Sequence, residues 1–563
     1  MSDKSPDQPT RRALDAVNGG DLLVALMEAL GVDTAFGVVS VHNMPLVDAV
    51  SEKLRFVPVR HEAAAVNAAD AYGRVRGTVG IALTSTGTGA GNAAGSLIEA
   101  LATGSRVLHV TGQIESRYLG QGRGFIHETK DQAGMLAAVS KAAYTVADVA
   151  GAPELLARAA REAATAPYGP VSVEWPIDLQ YRIHEIPELD VTPRAEPVLP
   201  DAAALDEAAA LIAGARRPLL WVGGGALDAR DEVAALLTRT RAGLLTSNSG
   251  RGVVGEGHGA CIGNFAMNPA VAPVRERADL LISIGTHFRS NETGDYSLGL
   301  PSEHVQIDLD PAAIGRVYPA SAGLVGDASA VLRALLDRLP ERTGTDDTWL
   351  TEVAAARRGA REGLRASIGW QAEICDAVRA AFPRTAVLAR DVTIPSSMWG
   401  NRLLAVDDPS VNVFPRGGGI GQGLAMGIGG ALARPDVPSL ILAGDGGFAV
   451  HLGELGTLAQ ENPWAVVLLF NDGGYGVLRN TQDGFVGRRS GVDLATPDFG
   501  LLAQAYGLPY WKVKGVEEIE GALAAALSVR GAAFVEVDVD ALGPIPKPFT
   551  PPVSIPDPRK DSR

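Results

Sequence analysis

Cysteine is nearly missing from this 563-residue chain, which has only Cys261 and Cys375, far apart. Two such residues make neither a disulfide framework nor a metal-ligand pattern, and the expectation is a reduced, cytoplasmic setting. Long apolar runs are missing too. No uninterrupted stretch reaches the roughly 18 residues of a membrane span, and the N-terminal MSDKSPDQPTRR is polar, lacks an apolar signal core and is expected to fray. There is no basic excess: Lys and Arg number 50 against 65 Asp and Glu, a formal net charge of −15 spread along the chain. That argues against nucleic acid as a main partner, which would need a basic face. What is present is an ordinary globular composition, 46% hydrophobic and 20% charged. The length suits about three domains.

Short apolar runs alternate with helical patterns almost throughout. DLLVALMEALG places Leu23, Met27 and Leu30 at helical spacing, and DTAFGVVS follows as a strand entering a turn. RFVPVR, GIALTS and RVLHVTG read as further strands, separated by the helices HEAAAVNAADAYGRV and NAAGSLIEALATG. Repeated βα alternation predicts α/β domains with doubly wound parallel sheets covered on both faces. A proline-rich stretch from Glu185 to Pro200 and the polar LPERTGTDDT near Pro340 read as linkers. The second block holds the strands PLLWVGGG, DLLISIG and VQIDLD; the third holds AVLARD, SLILAGDG, AVVLLFND and AAFVEVDVD. Three domains are expected, over residues 12–185, 200–340 and 365–545. The C-terminal KPFTPPVSIPDPRKDSR is expected to be extended, and no short internal repeat is visible.

The stretch LAGDGGFAVHLGELGTLAQENPWAVVLLFND carries the strongest chemical signal. SLILA is a buried strand and GDGG the turn at its carboxyl end, where ligands of parallel sheets bind. Glycines 444, 446 and 447 let backbone amides approach a ligand, and AVHLGELGTLAQ reads as a helix whose N-terminus would face an anion. Asn471-Asp472-Gly473-Gly474 closes the next strand, so Asp445 and Asp472 sit on neighbouring strand ends, 27 residues apart. Two carboxylates beside an anion-binding terminus suit an oxygen-ligated divalent cation such as Mg²⁺, bridging to a diphosphate. The bland alternative is two unrelated turns.

In this arrangement the chain resembles the thiamine diphosphate (ThDP)-dependent enzymes, of the branch containing acetolactate synthase, benzoylformate decarboxylase and benzaldehyde lyase. The resemblance covers nearly the whole chain and implies pyrimidine-binding, central and diphosphate-binding domains. It implies that Asp445, Asp472 and the carbonyl of Gly474 hold Mg²⁺, although the family usually has Asn where this chain has Asp472. Gly446, Gly447, Gly474 and Tyr475 fall on the diphosphate-binding turns. FPRGGGIGQGLAMGIGGALARP resembles the segment supporting the cofactor's pyrimidine, with Ile420 as the wedge beneath it and the Gly418 carbonyl near its amino group. RDVTIPSSMWGNRL resembles a diphosphate-reaching segment, with Thr393 a candidate contact.

FVPVRHEAAAVNAADAYGR matches the family segment whose acid, here Glu62, hydrogen-bonds the pyrimidine and promotes its proton-accepting tautomer. A solvated first-turn glutamate would be the structural alternative. In the family these motifs meet across a subunit interface, implying a homodimer or homotetramer. The turn FGVVSVHNMP has Val39 and Ser40 where relatives carry Pro-Gly; His42 falls where benzaldehyde lyase has an active-site histidine, and Asn43 could take a polar contact nearby. GFIHETKDQ places His127 where relatives have an active-site glutamine, beside Glu128. Either histidine could relay protons to substrate. Thr84 is expected to face the active site, Thr86 and Asn92 to support cofactor or fold, and His61 to be structural.

The central domain's WVGGGALDA and GTHFRSNETG leave FAD, ADP or no nucleotide open, since a glycine run alone is weak evidence. The leading expectation is a ThDP- and Mg²⁺-dependent lyase or synthase that acts on a 2-oxo acid or 2-hydroxy ketone and breaks or forms a C–C bond. A flavin-linked ThDP-dependent oxidase is the second reading, and a non-catalytic ThDP-binding protein the third.

Overall fold

The computed structural model describes residues 17–193 and 197–551. The polar N-terminal stretch expected to fray, and the part of the C-terminal proline-rich run beyond residue 551, lie outside the described residues.

The βα alternation produces three sheets of six parallel strands each. The first contains β1 Thr34–Gly37, β2 Arg55–Pro58, β3 Gly80–Thr84, β4 Val107–Gln113, β5 Ala142–Thr145 and β6 Val171–Pro176, in the order β2-β1-β3-β4-β6-β5. The second contains β7 Pro218–Val222, β8 Gly243–Thr246, β9 Cys261–Gly263, β10 Leu280–Ile284, β11 His304–Asp308 and β12 Ala322–Val325, in the order β12-β11-β10-β7-β8-β9. The third contains β13 Val387–Arg390, β14 Asn412–Val413, β15 Ser439–Gly444, β16 Ala465–Asn471, β17 Tyr510–Val513 and β18 Ala533–Asp538, in the order β14-β13-β15-β16-β18-β17. The first and third sheets thus share one strand order counted along the chain. In each, the order reverses beside the first strand and opens a crevice outside the strands' carboxyl ends.

The chain divides into two compact units. One holds residues up to Arg194 together with Ala425–Arg434 and His451–Pro463; the other holds the second and third sheets. In the first unit, the alanine-rich helix Glu62–Arg76 is capped by His61, whose Nδ1 accepts the Ala63 N–H, and ends on Gly77 in the left-handed conformation. His61 thus serves as the cap of this helix. Helix Glu454–Glu461 lies along β2 in the same unit, with Glu454 and Thr457 bonded to Arg60. In the second unit, β15 and the first six residues of β16 are buried throughout, as their apolar runs require.

Three readings need correction. AVHLGELGTLAQ is not one helix: a single turn spans Asp445–Phe448, a 3₁₀ turn Ala449–His451, and the longer helix starts only at Glu454. Gly453, a residue that weakens helix continuation, caps the longer helix, and the chain passes from one unit to the other at His451. The helix read as NAAGSLIEALATG begins earlier, at Thr88. The polar run near Pro340 has no helix or strand, yet Thr343 and Thr345 are buried and Thr345 donates to the Thr240 carbonyl at 2.6 Å. The following helix Trp349–Ile368 packs on the second sheet, where the Trp349 indole donates to the Pro218 carbonyl at 2.9 Å. The described residues between Glu185 and Pro200 form no regular element, as a linker should.

Candidate active site

In the first unit, candidate groups gather at the carboxyl ends of β1, β3 and β4. Asn43 pins this crevice: its Nδ2 donates to the carbonyls of Val38 and Thr84 at 2.9 and 3.0 Å, and its Oδ1 accepts the Ser40 N–H. The turn that lacks Pro-Gly is thus closed by an asparagine. Beside it, the His42 and His127 rings meet edge to face, 5.3 Å apart at 86°. His42 is buried with Nδ1 unpartnered, and burial, aided by the neighbouring imidazole, lowers its proton affinity. His127 is exposed and holds a φ of +67°, a left-handed conformation that histidine adopts more readily than most side chains. The structure brings these two residues together across 85 positions of sequence.

Glu62 stands at the first turn of its helix, and a Cβ on Gly89 would lie 3.0 Å from its Oε1. Asn92 donates to Glu62 Oε2 at 3.0 Å, which assigns Asn92 the support of this carboxylate. Thr84 does not face the crevice. Its hydroxyl lies 2.8 Å from Nε2 of the fully buried His109, because the side chain of this strand-end residue falls on the core side of the sheet. Thr86 instead bonds Gln113 and Gln132. Gln132 and Glu174, absent from the sequence reading, form the base: Gln132 accepts the Gly87 N–H and donates to the Gly112 carbonyl and Glu174, which also takes bonds from Gln113 and Thr145. A buried glutamine after an aspartate N-cap carries no sequence signal of such a role.

In the second unit, a cavity of about 230 Å³ opens at the reversal between β13 and β15. Thr393, Ile420, Asp445, Gly446, Gly447, Asp472, Gly474 and Tyr475 all line it. Of the sequence candidates for this domain, Gly418 is not among the lining residues; it sits two positions before Ile420 with a φ of +93°. The intervening loop is held by Asp391, at the end of β13, whose carboxylate accepts the Gly421 N–H at 3.0 Å. Burial raises that carboxyl to about 6 despite this and neighbouring backbone donors. Asp391 stood inside the RDVTIP segment, and an acid at a strand end next to the candidate Thr393 was the available signal.

The donor set fits a divalent cation bridging to a diphosphate. Asp472 N–H donates to Asp445 Oδ1 at 3.3 Å, while Asp445 Oδ2 is buried with no partner. Burial raises Asp445, and burial together with the Asp445 charge pushes Asp472 to about 7, against the opposing pull of Arg479. Arg479 stands beside the pair, 3.9 Å from Asp472 Oδ1, and among the described residues no Lys or Arg lines the cavity itself. Among the described residues no three His, Cys, Asp or Glu side chains cluster as a metal site, and a backbone carbonyl is one available further oxygen. The Gly474 carbonyl is suited: a Cβ on Gly446 would stand 2.7 Å from it, so the two turns touch only because Gly446 has no side chain.

The glycine run of the second sheet is spent differently. A Cβ on Gly223 would lie 2.2 Å from the Gly285 carbonyl, so these glycines serve close packing of β7 on β10. The helix beyond, Arg230–Thr240, opens with Asp231 and Glu232, which would repel a dinucleotide's phosphates there. That turn does not fit a dinucleotide grip. Among the described residues no helix is long and apolar enough to cross a membrane.

Comparison with known proteins agrees with this geometry. Residues 17–135 match the N-terminal TPP binding domain of thiamine pyrophosphate enzymes, 205–335 their central domain, and 395–537 their C-terminal TPP binding domain. The chain is 34% identical over 539 residues to a probable 2-ketoarginine decarboxylase, AruI, of Pseudomonas aeruginosa, covering 94% of this chain and 95% of that protein. It is 30% identical to an acetolactate synthase of Mycobacterium bovis, over 88% and 83% of the two chains. It is 28% identical to the large subunit of acetolactate synthase isozyme 2 of Escherichia coli, over 95% and 98%. With its three matched domains in order and a glycine-lined crevice at the ends of β13, β15 and β16, this chain belongs to the thiamine pyrophosphate-dependent enzymes, in their acetolactate synthase-like branch.

Proposed function

We propose that this enzyme uses ThDP and Mg²⁺ to cleave or form a C–C bond beside a carbonyl, with a 2-oxo acid decarboxylated or its carbonyl fragment passed to a second acceptor. The observation that carries the reading is the carboxylate pair of buried Asp445 and half-buried Asp472, at the ends of neighbouring strands against a glycine-lined cavity with no lining Lys or Arg among the described residues. The similarity to proteins named decarboxylase and acetolactate synthase supports the same chemistry. Asp445, Asp472 and the Gly474 carbonyl would hold the metal, and Thr393, Gly446, Gly447 and Tyr475 the diphosphate. Ile420 and Gly418 would support the pyrimidine. When bound, ThDP supplies the carbanion chemistry; the chain supplies orientation and protons.

Glu62, fixed by Asn92, would hydrogen-bond the pyrimidine. His42, kept neutral by burial, and His127 would donate to or accept from the substrate oxygen. The working unit is a homodimer or homotetramer in a cytoplasmic, reducing setting, which the two buried free thiols suit. A flavin-linked oxidase is the second outcome, with FAD held elsewhere than the Gly223 turn.

The test is turnover of a 2-oxo acid panel, read as CO₂ release and acyloin formation, with and without ThDP and Mg²⁺. Glu62→Gln is expected to lower turnover about 10²-fold or more and to spare ThDP binding. Undiminished turnover in that variant removes Glu62 from the mechanism. Absorbance at about 450 nm that bleaches with substrate would move the protein to the oxidases.

A further inference from the structure

Arg479 stands beside the carboxylate pair, and none of the roles above employs it. It lies in the helix Gly476–Phe485, directly after the turn that carries Asp472 and Gly474. That turn has little conformational preference of its own, because it runs through two consecutive glycines, the first at a φ of +77°. Its shape is therefore set by what holds it. The segment from Val492 to Leu494 pairs along it: Tyr475 N–H donates to the Val492 carbonyl at 2.8 Å, and Leu494 N–H to the Gly473 carbonyl at 2.9 Å.

Arg479 fastens both sides of that pairing. Its Nη1 donates to the Asp472 carbonyl at 2.9 Å and its Nε to Asp493 Oδ1 at 2.8 Å. A Cβ on Gly474 would lie 3.1 Å from Nη2, so the guanidinium rests against the glycine whose carbonyl is read as a metal oxygen. Nη1 stays 3.9 Å from Asp472 Oδ1, beyond hydrogen-bond reach. The arginine thus grips the turn by its backbone and does not engage the carboxylate a metal would need. A lysine offers one ammonium and cannot meet a carbonyl and a carboxylate in fixed directions. We propose that Arg479 is a positioning residue: bonded to the Asp472 carbonyl and to Asp493, it sets the direction of the Asp472 carboxylate and the Gly474 carbonyl towards the metal. This rests on the reading of the cavity as the ThDP site.

Mg²⁺ demands near-ideal octahedral ligands, whereas Ca²⁺ accepts irregular ones. A turn without its clasp should therefore fail Mg²⁺ more than Ca²⁺. Calorimetric titration of the full-length apoprotein with ThDP, at saturating Mg²⁺ and separately at saturating Ca²⁺, tests this. In Arg479→Met the Mg²⁺-supported affinity is expected to fall about tenfold to a hundredfold, the worth of a hydrogen bond to a charged group. The Ca²⁺-supported affinity should fall by about threefold or less. Arg479→Lys, the milder variant, keeps the charge and should show the same bias towards Ca²⁺. Asp493→Asn should weaken Mg²⁺-supported binding on its own and add nothing to Arg479→Met, since both break one clasp. Wild-type affinity in Arg479→Met, an equal loss with the two metals, full recovery in Arg479→Lys, or additive losses with Asp493→Asn overturns the proposal while the ThDP reading stands. A wild-type protein that binds ThDP with neither metal overturns both.

Discussion

Asp472 carries a residue-scale consequence of its burial. Its carboxyl is raised to about 7, chiefly by burial and then by Asp445. A raised carboxyl keeps its proton in the folded, metal-free protein where the unfolded chain has lost it. Between the ordinary carboxylate value of 3.8 and about pH 7 the folded state therefore binds more protons, and metal-free stability falls as pH rises through that window. A metal must displace this proton, so Mg²⁺-dependent ThDP affinity should climb up to about tenfold per pH unit and level off near neutrality. Asp472→Asn keeps an oxygen ligand without the charge. It should raise the metal-free melting temperature at neutral pH and flatten the affinity slope, both measurable between about pH 5.5 and 8. An unchanged slope in the variant would assign the titration to another group.

At the scale of elements, strand ends and the turns behind them set the geometry. A Cβ on Gly476 would sit 2.0 Å from Asp472 Oδ2 and 3.2 Å from Ile394, so the turn after β16 can seat its carboxylate only with glycine there. Gly476→Ala should displace Asp472 and weaken Mg²⁺-dependent ThDP binding by about tenfold or more, with little change in the overall melt. Equilibrium dialysis would measure it, and wild-type retention would mean that Asp472 tolerates a shift. Across β3, β4 and β6 a different device operates. His109 is fully buried, 2.8 Å from Thr84 and 3.0 Å from Ser172, and burial lowers its proton affinity from 6.5 to about 4. The unfolded chain takes up this proton and the fold refuses it, so the contribution is whole above about pH 6.5 and is lost as pH falls towards 4. The stability advantage of the wild type over His109→Gln should shrink by up to about 3 kcal/mol across that window. Denaturant titrations at several pH values would show a parallel pair of curves if His109 were not responsible.

At the scale of the whole molecule, the proposed interface has a signature that no single chain can give. Glu62→Gln and Asp445→Ala each remove one half of the proposed site. If the halves come from different subunits, exchange of the two inactive variants creates mixed dimers with one intact site, restoring about a quarter of wild-type activity. If both halves come from one subunit, the mixture stays inactive. Specific activity measured after mixing and denaturant-assisted exchange distinguishes the two.

The sequence by itself determined much of this protein. Period and punctuation fixed the parallel α/β class, because buried parallel strands must be apolar runs such as SLILA and AVVLLF. The GDG and ND turns exposed Asp445 and Asp472 as neighbours, because a strand-turn-helix-strand unit of that length leaves little choice of pairing. Weak or edge strands such as AAYT and YWKV escaped notice, being short and only half-buried. The shared strand order of the first and third sheets was also invisible, since it is a repetition of topology rather than of residues. Only tertiary structure decided the rest. It turned Thr84 into a core partner of His109, recruited Asn92 to Glu62, and set His42 against His127. It also placed Gln371, whose helix begins far upstream of the GDG turn, on the wall of the same cavity. These outcomes depend on which strand ends lie side by side and which way each side chain points once the sheets are packed, and no local pattern of residues encodes either.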